Sequence, residues 1–125
     1  MKLYKNKNGF TLVEVMVIIT IIGILASLTI YGIGSWRKKA SETEVKNALV
    51  SLSNIMENER NFNNGYPTSL PSSYRYNTTS LTVTYKSGGD VTRYCADGIS
   101  NNDSSVVYMI KSPSKEPQAG TCPSF

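Results

Sequence analysis

The sequence predicts an α+β protein in which one long N-terminal α-helix, transmembrane and then amphipathic, packs on a small antiparallel β-sheet head. Three observations support this fold class. An apolar run without charged residues covers positions 15–36, and apolar residues then recur at helical spacing up to Phe62. Alternation of apolar and polar residues, which is typical of strands, begins only at Leu81. The 125 residues therefore make an anchor and one small domain.

The first part of the helix, residues 10–36, has the length and composition of a membrane span. From Val15 to Trp36 there are 22 uncharged, mostly apolar positions, enough to cross a hydrocarbon core of about 30 Å. Three glycines lie within this span, at positions 23, 32 and 34. They favour either close packing between neighbouring helices or local melting of the helix outside lipid.

An acidic residue, Glu14, lies within the apolar segment, where a carboxylate costs roughly 2.5 to 3.5 kcal/mol at bilayer depth. A short lysine-bearing leader, residues 1–9, ends in Gly9 directly before this segment, which is a suitable position for a processing enzyme to cut. Cleavage there would create an α-amino group on Phe10, one helical turn from Glu14. In staggered neighbouring helices, that amine and the carboxylate of Glu14 would neutralise one another.

The run Gly9-Phe10-Thr11-Leu12-Val13-Glu14, after a basic leader and before a long apolar segment, resembles the class III signal of type IV pilins and pseudopilins. The resemblance extends no further than residue 62. It implies a pilin-like fold, cleavage by prepilin peptidase between Gly9 and Phe10, and N-methylation of the Phe10 amine. It also implies that Glu14 helps to assemble subunits into a helical filament.

The resemblance further implies a structural subunit of a type IV pilus-like filament, of the kind used in adhesion and motility, without a cofactor. The precursor would lie in the cytoplasmic membrane and the assembled homo-oligomer outside the cell. Prepilin peptidase and the pilus assembly machinery would be its partners. The resemblance leaves open a pseudopilin of type II secretion or a minor pilin for DNA uptake. An uncleaved, single-pass membrane-anchored binding protein is the alternative from another class. Which surface or nucleic acid the filament contacts is also left open.

Residues 37–62 continue the helix with an amphipathic pattern. No proline interrupts residues 10–62, so we predict one helix of about 53 residues, roughly 80 Å long. The run Asn63-Asn64-Gly65-Tyr66-Pro67 would end it, because asparagine and glycine accept left-handed dihedral angles and proline cannot continue the turn. The residues of the predicted apolar face are Val45, Ala48, Leu49, Leu52, Ile55, Met56 and Phe62.

Residues 63–125 form the predicted globular head. A polar loop rich in serine, threonine and asparagine occupies residues 67–79, either simply solvated or in contact with other molecules. Gly88-Gly89 has the composition of a tight turn between two strands. We predict three or four antiparallel strands, of which three are evident in the sequence: Leu81–Tyr85, Val91–Ala96 and Val106–Ile110.

The two cysteines, Cys95 and Cys122, both lie in the predicted head. An even number of cysteines in an exported chain indicates a disulfide, and without histidine two cysteines leave a zinc site short of ligands. The bond would hold the tail, residues 112–125, on the second strand. Closing this loop would contribute about 3 kcal/mol of stability.

Metal binding and catalysis have little support in the composition. Asp97 and Asp103 lie within a polar segment, residues 97–103, that is a weak calcium candidate, although such a segment is more often a plain turn. The absence of histidine removes the commonest general base. We therefore predict no resident metal and no enzymatic activity.

The net charge does not indicate a nucleic-acid-binding protein. The chain has 13 Lys+Arg against 9 Asp+Glu, but three of the lysines belong to the leader. After its removal the side chains would be nearly neutral, so a general basic patch for DNA or RNA is not expected.

Overall fold

The computed structural model describes residues 9–75, 77–87 and 91–124. Within them, one α-helix precedes a four-stranded antiparallel sheet, which confirms the predicted α+β, pilin-like fold class. The chain divides into two compact units between Trp36 and Arg37. The leader positions 1–8 and the predicted Gly88-Gly89 turn lie outside the described residues. The elements are α1 (Leu12–Asn63), β1 (Leu81–Ser87), β2 (Tyr94–Ser100), β3 (Val107–Lys111) and β4 (Gln118–Ala119).

In the first unit, the helix presents apolar side chains in every direction. The large apolar side chains between Phe10 and Trp36 are exposed, from 44% at Ile18 to 91% at Tyr31. By length and composition, α1 is the one helix among the described residues that meets the requirements of a membrane span. A helix that is apolar all round requires an apolar environment, from lipid or from other helices.

In the second unit, one stripe of α1 packs into the core. Val45, Ala48, Leu49, Leu52 and Met56 are each at most 1% exposed, and their spacing of three and four residues places them on one face. The predicted inclusion of Phe62 in this face is wrong, because Phe62 is 88% exposed. At 3.6 residues per turn, Phe62 lies roughly 100° around the helix from the centre of the buried stripe.

The helix ends at Asn63, one residue beyond the predicted end at Phe62. Asn64 takes a left-handed backbone conformation with φ 58°, which asparagine adopts more readily than most residues. A Cβ atom at Gly65 would lie only 2.5 Å from Cβ of Val91, so this position requires glycine. The next residue, Tyr66, donates its backbone N–H to the carbonyl of Val91 over 2.7 Å.

The four strands pair in sequence order, β1-β2-β3-β4, and every pairing is antiparallel. Leu81 and Val83 on β1 are buried while Thr82 and Thr84 between them are exposed, so one face of the sheet meets the helix. The helix lies close to the sheet at Gly98 of β2, where a Cβ atom would lie 2.9 Å from Cγ1 of Val45. A side chain at position 98 would therefore force the packed side chain of Val45 to shift.

The limits of the strands differ from those predicted from the sequence. The second strand covers Tyr94–Ser100, not 91–96, so the polar residues 97–100 belong to a strand and not to a turn. The tail also contains a short strand, Gln118–Ala119, which pairs with β3 through Tyr108 and Met109. Strand β3 itself lies one residue beyond its predicted position.

Candidate functional site

The predicted cleavage position lies just before the helix. Gly9 and Phe10 are exposed and precede Leu12, the first residue of α1. Within the described part of the chain, neither residue forms a backbone hydrogen bond to another described residue. The peptide bond between them is therefore available to a peptidase without unwinding the helix.

Thr11 caps the start of α1, a role that the sequence reasoning missed. Its Oγ1 accepts a hydrogen bond from the backbone N–H of Glu14 at 3.3 Å. Its backbone carbonyl accepts the N–H of Val15, also at 3.3 Å. A threonine at the N-cap that accepts from the third helical residue is a common helix start. The pattern of threonine followed three residues later by glutamate is the sequence signal for it.

Glu14 is the acidic residue in the first turn of α1. Its side chain is exposed and is surrounded along the chain by exposed apolar residues, including Leu12 and Val13. The positive end of the helix dipole favours a carboxylate at this position. The structure thus brings Gly9, Phe10 and Glu14 together at one end of the helix and leaves the carboxylate accessible to another chain.

The glycines of the span are open on their outer side. A Cβ atom at Gly23, Gly32 or Gly34 would have no heavy atom within 4 Å, apart from its own helix backbone and chain neighbours. These positions are therefore not required for packing within the chain. Both sequence interpretations, close approach of another helix and local melting, remain predictions.

At the other end of the chain, Cys95 and Cys122 form a disulfide, with their Cα atoms 5.9 Å apart. Asp97 lies two residues from Cys95 on the same strand and is 5% exposed. Its carboxylate accepts the backbone N–H of Cys122 and lies 3.4 Å from Nζ of Lys86. The buried charge of Asp97 is thus compensated, and the tail is held on the sheet beside the disulfide.

The two calcium candidates have different protein partners. Asp103 accepts the hydroxyl of Ser105 at 2.6 Å and the backbone N–H of Ser105 at 3.0 Å, and these two bonds lower the pKa of Asp103. Asp97 interacts with Lys86 and Cys122. Among the described residues, no group of three or more histidine, cysteine or acidic side chains has an arrangement that could hold a metal ion.

A cluster of tyrosines joins the end of α1 to the sheet. The rings of Tyr66 and Tyr94 meet edge to face with centroids 4.8 Å apart, and Tyr85 stacks on Tyr94 at 6.1 Å. The Tyr66 hydroxyl donates to Oε1 of Glu57 at 2.6 Å. Burial, reinforced by this hydrogen bond, raises the pKa of Tyr66 to about 12. Burial also raises the pKa of Tyr85 to about 12.

We expect this cluster to make the head unstable in strong alkali. Since the folded state raises both pKa values above the ordinary tyrosine value of 10.0, it favours the neutral phenols. Their contribution to the free energy of unfolding is complete below pH 10 and is lost as the pH rises towards 12. Chemical denaturation of the full chain in detergent, measured by circular dichroism at stepped pH, would reveal this loss.

The variants Tyr66→Phe and Tyr31→Phe test whether the loss of stability at high pH comes from the tyrosine cluster. Tyr66→Phe should flatten the decline in stability above pH 10, because it removes one of the titrating groups. Tyr31, which is 91% exposed, serves as the control, and Tyr31→Phe should follow the wild-type curve. A wild-type curve that stays level between pH 10 and 12 would contradict this assignment.

The comparison with protein families gives one match, at the N-terminus. The family model described as the prokaryotic N-terminal methylation motif matches residues 4–30. This match includes Gly9, Phe10 and Glu14, the residues at the start of the apolar helix.

Curated relatives come from two kinds of assembly. The type II secretion system core protein G of Aeromonas hydrophila is 41% identical over 64 residues, which cover 51% of this chain and 45% of that protein. Its counterpart from Escherichia coli (strain K12) is 37% identical over 68 residues, 54% of this chain and 47% of that protein. The chain thus spans about half the length of these relatives.

A longer but weaker similarity links the chain to the type IV wide pilus major component PilA4 of Thermus thermophilus. The two are 29% identical over 114 residues, which cover 89% of this chain and 86% of that protein. No solved structure gives a significant match. The chain carries the prokaryotic N-terminal methylation motif and is a homologue of the type II secretion core protein G and of a type IV pilus component.

Proposed function

We propose that this chain is a pilin, a structural subunit of a type IV pilus-like extracellular filament, with no catalytic role of its own. The observation that carries the proposal is the methylation motif over residues 4–30 at the start of an exposed, membrane-length apolar helix. Prepilin peptidase would remove residues 1–9, and the new amine of Phe10 would be methylated. The precursor would wait in the membrane until the assembly machinery takes it up.

Assembly would depend on a pair of charges from two chains. The backbone nitrogen of Phe10, which cleavage would convert to an amine, lies two residues before α1, and Glu14 is exposed in the first turn of α1. When apolar helices pack together without water, each charge alone is costly, whereas opposite charges within hydrogen-bond distance compensate one another. A stagger that brings Glu14 of one subunit to Phe10 of the next would therefore be favoured. The apolar side chains of the packed helices would form the centre of the filament.

A pseudopilin of a type II secretion system is the second candidate. It is favoured by the higher identity, 41% and 37%, to core protein G from two organisms. The pilin proposal is favoured by the 86% coverage of the Thermus pilus component. The two candidates share cleavage, methylation and helix-mediated assembly, and they differ in where the filament extends and what it does.

Mass spectrometry of the protein isolated from its native host tests the cleavage and methylation that both candidates share. We expect a chain that starts at Phe10, carries one methyl group on its α-amine and contains the Cys95–Cys122 disulfide. A chain that still starts at Met1 would refute processing and would favour the membrane-anchored binding protein.

Shearing of the cell surface then separates the two candidates. A pilin should be recovered in quantity from sheared filaments, and its deletion should leave protein secretion intact. A pseudopilin should stay with the cells, and its deletion should stop the secretion of exported enzymes into the medium.

A further inference from the structure

We propose that Thr11 positions the Gly9–Phe10 peptide bond for cleavage by fixing the start of α1 after it. This inference rests on the proposed function, because it concerns the prepilin peptidase reaction. Thr11 would act through the backbone conformation of its neighbours and would not take part in the chemistry of hydrolysis.

The evidence is the hydrogen bonding at the start of the helix. The Oγ1 atom of Thr11 accepts the backbone N–H of Glu14, and its carbonyl accepts the N–H of Val15. The first residue in helical conformation is Leu12. Gly9 and Phe10 are exposed and make no backbone hydrogen bond to another described residue. The hydrogen-bonded helix thus begins directly after Thr11, and the two residues before Thr11 lie outside the helix.

The physical argument concerns what happens without the cap. The first N–H groups of a helix lack partners within the helix, and in apolar surroundings an unpaired N–H is costly. Extending α1 by one turn towards the N-terminus would satisfy these groups with the carbonyls of Gly9 and Phe10. The scissile carbonyl would then accept a helical hydrogen bond. A peptidase must instead polarise that carbonyl with its own donors, so a helical start at this point would slow cleavage.

Substitutions at position 11 distinguish the effect of capping on the cleavage rate from the effect of side-chain shape. Valine has the shape of threonine but cannot cap, whereas serine and aspartate differ in shape or charge and cap well. Full-length chains in membrane vesicles would be incubated with membranes that contain the peptidase, and initial cleavage rates would be measured. We expect Thr11→Val and Thr11→Ala to lower kcat/KM roughly fivefold. Thr11→Ser and Thr11→Asp should be cut at close to the wild-type rate.

Thr20 provides the matched control. Its hydroxyl donates to the carbonyl of Met16 inside the helix, at 2.7 Å, so it is an exposed threonine of the same span that does not cap. Thr20→Val should leave the cleavage rate unchanged. Hydrogen exchange supplies a readout that is independent of the peptidase: the amide of Glu14 should be protected in the wild type and in Thr11→Ser, and should exchange faster in Thr11→Val.

Three results would overturn the inference. Equal cleavage of all four Thr11 variants would exclude a role for the cap while leaving the proposed function intact. Normal cleavage of Thr11→Val with slow cleavage of Thr11→Asp would mean that the peptidase recognises the shape of the side chain. Failure of the wild-type chain itself to be cut would refute the proposed processing, and the role of Thr11 with it.

Discussion

Replacing Glu14 by alanine is expected to prevent filament assembly while leaving membrane insertion and removal of residues 1–9 largely intact. Glu14 is exposed in the first turn of α1, so its loss should leave the fold of the chain unchanged. In the proposed filament, however, the loss would leave the amine of Phe10 as an unpaired charge among packed helices. Breaking a buried ion pair by removing one partner costs about 3 to 5 kcal/mol, which would weaken subunit association at least a hundredfold.

The measurement is the amount of subunit in sheared filaments relative to processed subunit in the membrane, both from immunoblots of the same cells. Glu14→Gln keeps the size of the side chain and removes its charge, so it should fail like alanine, whereas Glu14→Asp should retain partial assembly. Glu116, an exposed acid in the tail, is the matched control, and Glu116→Ala should assemble normally. Wild-type filament yields from both Glu14→Ala and Glu14→Gln would rule out the proposed charge pairing.

The helix could be predicted closely because its signals are local. An uncharged run, a three- and four-residue periodicity and the Asn64-Gly65 stop predicted residues 10–62, and α1 covers Leu12–Asn63. The N-cap at Thr11 was missed even though its signal, a glutamate three residues later, is just as local. The apolar character of Phe62 favours the buried face, but six residues of helical rotation from Met56 place its side chain outside that face.

The sheet was harder to predict because the limits of its strands depend on contacts between distant residues. Asp97 lies buried within β2, where Lys86 and the backbone of Cys122 compensate its charge. Gly98 pairs with Val83 and Tyr108 in the same strand, and a side chain there would collide with Val45 of the helix. Neither partner can be identified from the residues around position 97, where the local composition indicates a turn.

The candidate site could be predicted only in part, because its proposed chemistry takes place between molecules. Gly9, Phe10 and Glu14 are recognisable from their order and their position before an apolar run. What the structure adds is that Gly9 and Phe10 precede the helix and that Glu14 is exposed within its first turn. The partner of Glu14 would belong to a second chain, so the contacts within one subunit do not identify the pairing.

Removing the disulfide is expected to destabilise the head by about 3 kcal/mol, chiefly because the unfolded chain gains freedom. Cys95 is fully buried on β2 and Cys122 is 6% exposed, and the bond joins the sheet to the tail beyond β4. Without it, the tail is still held by the hydrogen bond from Cys122 to Asp97, by the backbone hydrogen bond from Gly120 to Val107, and by the two paired residues of β4. Denaturant unfolding of the full chain in detergent, with and without reductant, measures the difference.

The double replacement Cys95→Ala and Cys122→Ala distinguishes the bond from other effects of the reductant. Its unfolding midpoint should lie close to that of the reduced wild type and should not change when reductant is added. Asp97→Asn in the oxidised chain should cost less, because the covalent bond still holds the tail when the charge near Lys86 is lost. If the reduced wild type unfolds at the same denaturant concentration as the oxidised protein, then the tail is held by its noncovalent contacts and the disulfide contributes little to stability.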